Sequence, residues 1–234
     1  MFKRQKHTIA SLILAIIIMG LSYNIFITQS LPALKLFGPS KTVAIDPGHG
    51  SIDKGAVHEE TGVAESSINL AVATQLKRML KRQKYNVILT RDKETMEKVS
   101  NCKELQRRID LAANSQADIL VSLHANKYPD PQYFGAQCFY NPKNPESKQL
   151  ALLIQEELKN MDPENIREAI PQDLYILRES PMPAVLVEMG FLSNSKDRGR
   201  LQDPAYQNKL AQCIEKGINR YYSGDSPTRT PEYN

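Results

Sequence analysis

Short, continuously apolar runs alternate along this chain with amphipathic stretches of helical period. No other feature limits the fold as much. Val43–Ile45, Asn86–Thr90 (NVILT), Asp118–His124 (DILVSLH), Gln137–Tyr140, Leu174–Leu177 and Ala184–Glu188 (AVLVE) predict strands. Between the first two, Glu65–Arg82 sets Ile68, Val72, Leu76 and Met79/Leu80 on one helical face. Lys103–Ser115, Glu146–Asn160 and Pro204–Tyr222 predict three further helices. A strand with water on one face alternates apolar and polar residues, whereas one buried on both faces is apolar throughout. The expected fold class is therefore α/β: one domain with a largely parallel twisted sheet, covered by helices on both faces. In such sheets ligands bind beyond the carboxyl ends of the strands, which places the expected active site there.

The chain before the first strand reads differently. Lys3, Arg4 and Lys6 precede a 27-residue uncharged stretch, Thr8–Leu34, whose densest apolar part is Ile9–Leu21. A basic flank followed by a hydrophobic segment at the extreme N-terminus directs export, with the basic end inside. Thr8–Ile27 is long enough to cross about 30 Å of hydrocarbon as a helix. Residues 1–29 are expected to be an uncleaved signal-anchor in the membrane. A signal peptide cleaved near Thr28-Gln29-Ser30 is the alternative, without an A-x-A site to support it. Residues 30–41, with Pro32, Gly38 and Pro39, read as a linker, 42–222 as the catalytic domain and 223–234 as a polar, disordered tail. The domain is expected outside the cytoplasmic membrane.

Charge excludes one class of partner. Beyond the three N-terminal cations the chain carries 27 basic against 26 acidic residues, so it offers no polyanion-seeking surface and nucleic acid is not expected. Cys102, Cys138 and Cys213 are far apart with no C-x-x-C, which favours buried small side chains. A single disulfide stays open in an exported body.

The polar residues at strand ends are informative. His49 follows VAID within DPGHG, His124 ends ILVSLH, Glu188 ends AVLVE, and Glu65 opens the helix after the first loop. Each alone has an ordinary structural role open to it: a turn residue, a strand-end imidazole, an ion-pair partner, a carboxylate favoured by a helix N-terminus. Together they bring two imidazoles and two carboxylates from distant segments to one rim. That matches a catalytic zinc site, three His or carboxylate ligands and an open position, with the fourth group left as base. A phosphate-binding reading of DPGHG lacks both the G-x-x-x-x-G-K-[ST] lysine and the G-x-G-x-x-G spacing. Asp46 either orients His49, as ligating imidazoles need, or forms the turn. Asn126 either binds substrate or closes a turn, and Arg91 and His58 read as structural.

VAIDPGHG, GVAESSINLAVA, LVSLHAN and MPAVLVEMGFLSN, in that order between Thr42 and Tyr222, resemble the four signature segments of the zinc-dependent N-acetylmuramoyl-L-alanine amidases of the amidase 3 class (LytC/AmiC-like). The resemblance implies one zinc held by His49, Glu65 and His124, with Glu188 catalytic. It implies hydrolysis of the amide between the lactyl group of N-acetylmuramic acid and L-alanine in peptidoglycan. The short chain and GAQCFYNPKNPESKQLALLIQEEL look most like the germination-specific, spore-cortex (CwlD-type) members. That implies a role before muramic-δ-lactam formation, and an accessory lipoprotein as a possible partner. Two other readings stay open at this stage: a catalytically silent wall-binding protein on the same fold, and another exported zinc hydrolase such as a peptidase or sugar deacetylase.

Overall fold

In the computed structural model, the residues described are Met19, 40–50, 52–93 and 101–228, Asn101 by its backbone alone. The chain divides into two compact units, Met1–Ser40 and Lys41–Asn234. The segment read as a signal-anchor, apart from Met19, and the linker up to residue 39 lie outside the described residues. No helix among the described residues is long and apolar enough to cross a membrane.

The second unit is built on a six-stranded sheet. In chain order the strands are β1 (Thr42–Pro47), β2 (Asn86–Leu89), β3 (Ile119–Asn126), β4 (Gln137–Tyr140), β5 (Ile170–Pro171) and β6 (Ala184–Phe191). They lie side by side as β2-β1-β3-β6-β4-β5. β2, β1, β3 and β6 are mutually parallel; β4 pairs antiparallel with β6, and the edge strand β5 runs parallel to β4. The helices are α1 (Glu65–Arg82), α2 (Asn101–Asn114), α3 (Pro145–Met161), α4 (Tyr175–Arg178), α5 (Ser195–Gln202) and α6 (Pro204–Ser223).

Side-chain alternation explains the continuous apolar runs. Val43, Ile45, Val121, Leu123, Val185 and Val187 point to one face, where they pack with apolar residues of α1, α3 and α6. Ala44, Leu120, Ala184 and Leu186 point to the other, against Ile109 and Ala112 of α2 and Ile176 and Leu177 of α4. Each such large aliphatic side chain, fully buried, contributes roughly 1.5–3 kcal/mol. The expected α/β class and the burial of both faces hold.

Four elements depart from the sequence reading, one of them the two-residue strand β5, which was not expected. Leu174–Leu177, expected as a strand, lies at the start of the single-turn helix α4. The eight-residue helix α5 was not expected. Its sequence SKDRGRLQ is polar, and it begins because Asn194 caps it, accepting from Lys196 N and Asp197 N at 3.0 Å. The polar tail is ordered at its start: Gly224 closes α6 in the left-handed conformation, Gln149 donates to Asp225 O at 2.9 Å, and Thr228 Oγ1 bonds Glu156 on α3 at 2.7 Å. Residues 229–234 lie outside the described set. The cysteines are free: Cys138 and Cys213 are buried as expected, but Cys102 is exposed.

Candidate metal centre and active site

The DPGHG segment leaves β1 and turns at His49, which takes φ +61°, a left-handed conformation uncommon for a residue with a side chain. Its backbone is held by donors from three elements. Pro47 O accepts from Arg91 Nε (2.8 Å) and Arg108 Nη1 (3.0 Å), and His49 O accepts from Arg108 Nη2 (2.6 Å). Gly48 O accepts from Arg91 Nη2 and from Asn69 Nδ2, each at 3.1 Å. Arg91 also donates to Ser66 O, which confirms the structural role expected of it.

This turn swings the His49 ring back over the start of α1. His49 Nε2 lies 3.2 Å from Glu65 Oε1, and His124 Nδ1 lies 2.8 Å from the same oxygen. The two imidazoles meet edge to face, with centroids 4.9 Å apart and planes at 79°. One donor atom from each of His49, Glu65 and His124 falls within 4.8 Å of the others, so the three sequence-predicted ligands do converge. Tetrahedral bonds of about 2.0 Å would place donors roughly 3.3 Å apart; the His49 separation from Glu65 matches this, and the His124 separation is shorter, at hydrogen-bond distance. The donor set, two imidazole nitrogens and a carboxylate oxygen, suits a borderline divalent metal.

Glu65 is anchored independently of any metal. Its Oε2 accepts from Ala56 N (2.9 Å) and its Oε1 from Ala125 N (3.1 Å). Burial would raise its pKa, but the hydrogen bonds and charges of His124 and His49 hold the carboxyl well below the usual range. Burial likewise works against protonation of His49, yet the bonds and charges of Glu65 and Asp53 raise it to about 9. Without metal the pocket therefore holds a proton on His49 that a cation must displace.

Glycines make room for this packing. A Cβ on Gly48 would fall 2.2 Å from His124 Nε2, and one on Gly55 would fall 2.5 Å from Glu65 Oε2.

Glu188 stands beside the cluster. It pairs in register with His124 across β3 and β6, so their side chains leave the same face of the sheet. Its Oε2 is buried and has no hydrogen-bond partner among the described residues. Burial pushes the carboxyl up to about 7; the charge of His124 opposes this, that of Glu65 adds to it, and that of His49 opposes it. A buried carboxyl poised near neutrality suits proton transfer.

Asp46 does not orient His49. As an in-strand residue it points to the face carrying Ser122 and bonds Ser122 Oγ (2.7 Å), Thr90 Oγ1 (2.5 Å) and Arg108 Nη1 (3.0 Å). The partner of His49 is Asp53, whose Oδ2 accepts from Nδ1 at 2.8 Å and whose Oδ1 accepts from Gly55 N at 3.0 Å. A carboxylate four residues beyond the histidine in a glycine-rich loop was the available signal. Asn126 lies at the end of β3, next to an irregularity in its register with β6, and its backbone oxygen accepts from Leu192 N at 2.7 Å. His58 bonds Thr61 on a loop and is not among the clustered residues.

Residues 43–220 match the Amidase_3 family, described as N-acetylmuramoyl-L-alanine amidase. The chain belongs to that family. A curated relative, the germination-specific N-acetylmuramoyl-L-alanine amidase of Bacillus subtilis (strain 168), is 34% identical over 198 residues, covering 80% of this chain and 83% of its own. Among solved structures, the CwlD amidase of Clostridioides difficile in complex with the GerS lipoprotein aligns with TM-score 0.75 at 38% identity, covering 80% of this chain and 100% of that one. The catalytic domain of CwlV, an N-acetylmuramoyl-L-alanine amidase from Bacillus (Paenibacillus) polymyxa var. colistinus, aligns with TM-score 0.69 at 34% identity, covering 78% and 98%. The protein is thus an N-acetylmuramoyl-L-alanine amidase acting on peptidoglycan. The silent-binder and other-hydrolase readings are set aside on that ground.

Proposed function

We propose that this amidase is zinc-dependent and acts in the spore cortex, removing peptide side chains from muramic acid ahead of δ-lactam formation. One observation carries the catalytic part: His49, Glu65 and His124 present three donors to one point, and the buried, unpartnered Glu188 oxygen lies on the neighbouring strand. Zinc, when bound, supplies Lewis acidity toward a carbonyl and lowers the pKa of a water toward about 7. Asp53 fixes the His49 ring so that Nε2 faces the ligand cluster. Glu188 takes a proton from the water that attacks the lactyl carbonyl. It then returns that proton to the alanine nitrogen, which leaves poorly as an anion. Asn126, two residues past His124 at the end of β3, is assigned to substrate contact.

The setting rests on likeness in length as well as identity to the germination-specific relative of B. subtilis, which the chain matches over most of both sequences. The C. difficile neighbour was solved with a lipoprotein, which supports an accessory lipoprotein as partner here. The apolar N-terminal segment supports tethering of the domain on the outer side of the membrane. The test is twofold. Metal analysis of the purified chain should find one zinc, lost in His124→Ala. Spores of a deletion strain should lack muramic-δ-lactam, and unchanged lactam content would contradict the cortex role while leaving the chemistry intact.

A further inference from the structure

Exposed apolar side chains in this domain gather at one end. Among its described residues the large hydrophobics with high exposure are Ile52, Tyr128, Tyr133 and Ile166. Ile52 adjoins Asp53, the partner of His49. Tyr128 and Tyr133 sit on the loop that leaves β3 directly after His124 and Asn126. Tyr128 is four residues past His124, so their Cα atoms are at most about 14 Å apart.

The two tyrosines form a built surface. Their ring centroids are 4.4 Å apart, and Tyr133 continues onto Phe191 at 6.3 Å. The Arg167 guanidinium lies 5.5 Å from the Tyr133 ring and 4.5 Å from that of Phe191. It is fixed there by donating to Phe134 O (2.6 Å) and Gln137 Oε1 (3.1 Å). The loop is pinned at Tyr128 N, which donates to Ser193 Oγ (3.1 Å), and at Pro131 O, which accepts from Asn194 Nδ2 (2.8 Å). Even so, Tyr128 and Tyr133 keep 46% and 42% of their surface in water. Ordering two aromatic rings in solvent gains little for folding, so a ligand is the natural occupant.

We propose that Tyr128 and Tyr133 form a shelf for the sugar rings of the glycan strand next to the muramoyl residue being cleaved. This rests on the amidase reading above and names the part of the substrate that the shelf takes. A pyranose presents a C–H face beside hydroxyl and acetamido edges. A tyrosine presents an apolar ring face with a polar tip, and so matches it on both counts. The stem peptide offers carboxylates instead. The cation at the shelf, Arg167, has its Nε and Nη1 committed to protein oxygens and its plane laid against rings.

The test uses the full-length chain in detergent and peptide-free oligomers of alternating N-acetylglucosamine and N-acetylmuramic acid, which carry no scissile amide. Calorimetry should detect binding by the wild type, weakened at least about tenfold in Y128A/Y133A and retained in Y133F. On peptide-bearing glycan the double variant should raise KM and leave kcat nearly unchanged. On a single muramoyl-peptide its kcat/KM should match the wild type. Absence of glycan binding by the wild type, or an unchanged affinity in a natively melting Y128A/Y133A, would overturn the proposal. Failure of the amidase reading shows separately, as no release of stem peptide by a wild type that still binds the glycan.

Discussion

Asp53 Oδ2 accepts from His49 Nδ1 at 2.8 Å, and this bond turns the opposite nitrogen of the ring toward Glu65, 3.2 Å away. One carboxylate thus sets which nitrogen of His49 is offered to a cation. Asp53→Asn should weaken metal binding about 10–100-fold, as loss of a ligand's hydrogen-bonding partner does. Competition with a chelator of known affinity measures it. Unchanged affinity would remove Asp53 from the site.

Gly48 lies so close to His124 that any side chain there displaces the imidazole. Gly48→Ala should fold, because the turn is at the rim of the sheet, but should lose metal. Metal content and far-ultraviolet dichroism, taken together, separate this from unfolding.

Asp46 and Arg108 are both buried, and Arg108 carries the Pro47 and His49 carbonyls as well. Burial raises the Asp46 pKa, but the charge of Arg108 and the hydroxyls of Thr90 and Ser122 outweigh it, leaving it below 3.8. A carboxyl depressed in the folded state adds stability above its unfolded value, and that stability is lost as pH falls through the folded value. Asp46→Asn should therefore cost roughly 1–3 kcal/mol at pH 7, since it takes the carboxylate from a buried guanidinium that keeps Glu104 at 3.0 Å. The gap to the wild type should narrow below about pH 4. Urea unfolding at the two pH values checks both statements.

Glu188 shows the opposite sign. Its folded carboxyl titrates at about 7 against an ordinary 4.5, so the native state keeps a proton that the unfolded chain releases. Stability of the metal-free protein falls as pH rises across that window, and the deficit persists above it. Glu188→Gln should remove the deficit, making the metal-free variant more stable above pH 7 by on the order of 1–3 kcal/mol. The two proteins should be alike below about pH 4.5.

The layers of the fold were legible from strand and helix periodicity, and the three clustering residues from their places at strand ends and, for Glu65, at the start of α1. Apolar runs give the buried sheet, and its carboxyl edge gives His124 and Glu188 directly. Asp53 was not legible in this way. Its contact with His49 depends on the left-handed turn at His49, a conformation that strand logic does not supply. Asp46 was misread for the complementary reason: inside β1 its direction is fixed by alternation, toward Ser122 and α2, away from the turn. Leu174–Leu177 is apolar and short, and four such residues do not distinguish a strand from one helical turn. α5 has no apolar stripe to reveal it, and its Asn194 cap was the only local cue.

The most direct measurement is mass spectrometry of purified peptidoglycan after digestion by the zinc-loaded chain. The account predicts intact stem peptides released with a free L-alanine amine, and uncut glycan strands that bear a free lactyl carboxylate on each cleaved muramic acid. With Glu188→Gln, product formation should fall on the order of 10²–10⁴-fold while zinc stays bound. Cleavage within the peptide, loss of acetate, or near-native turnover by Glu188→Gln would contradict it.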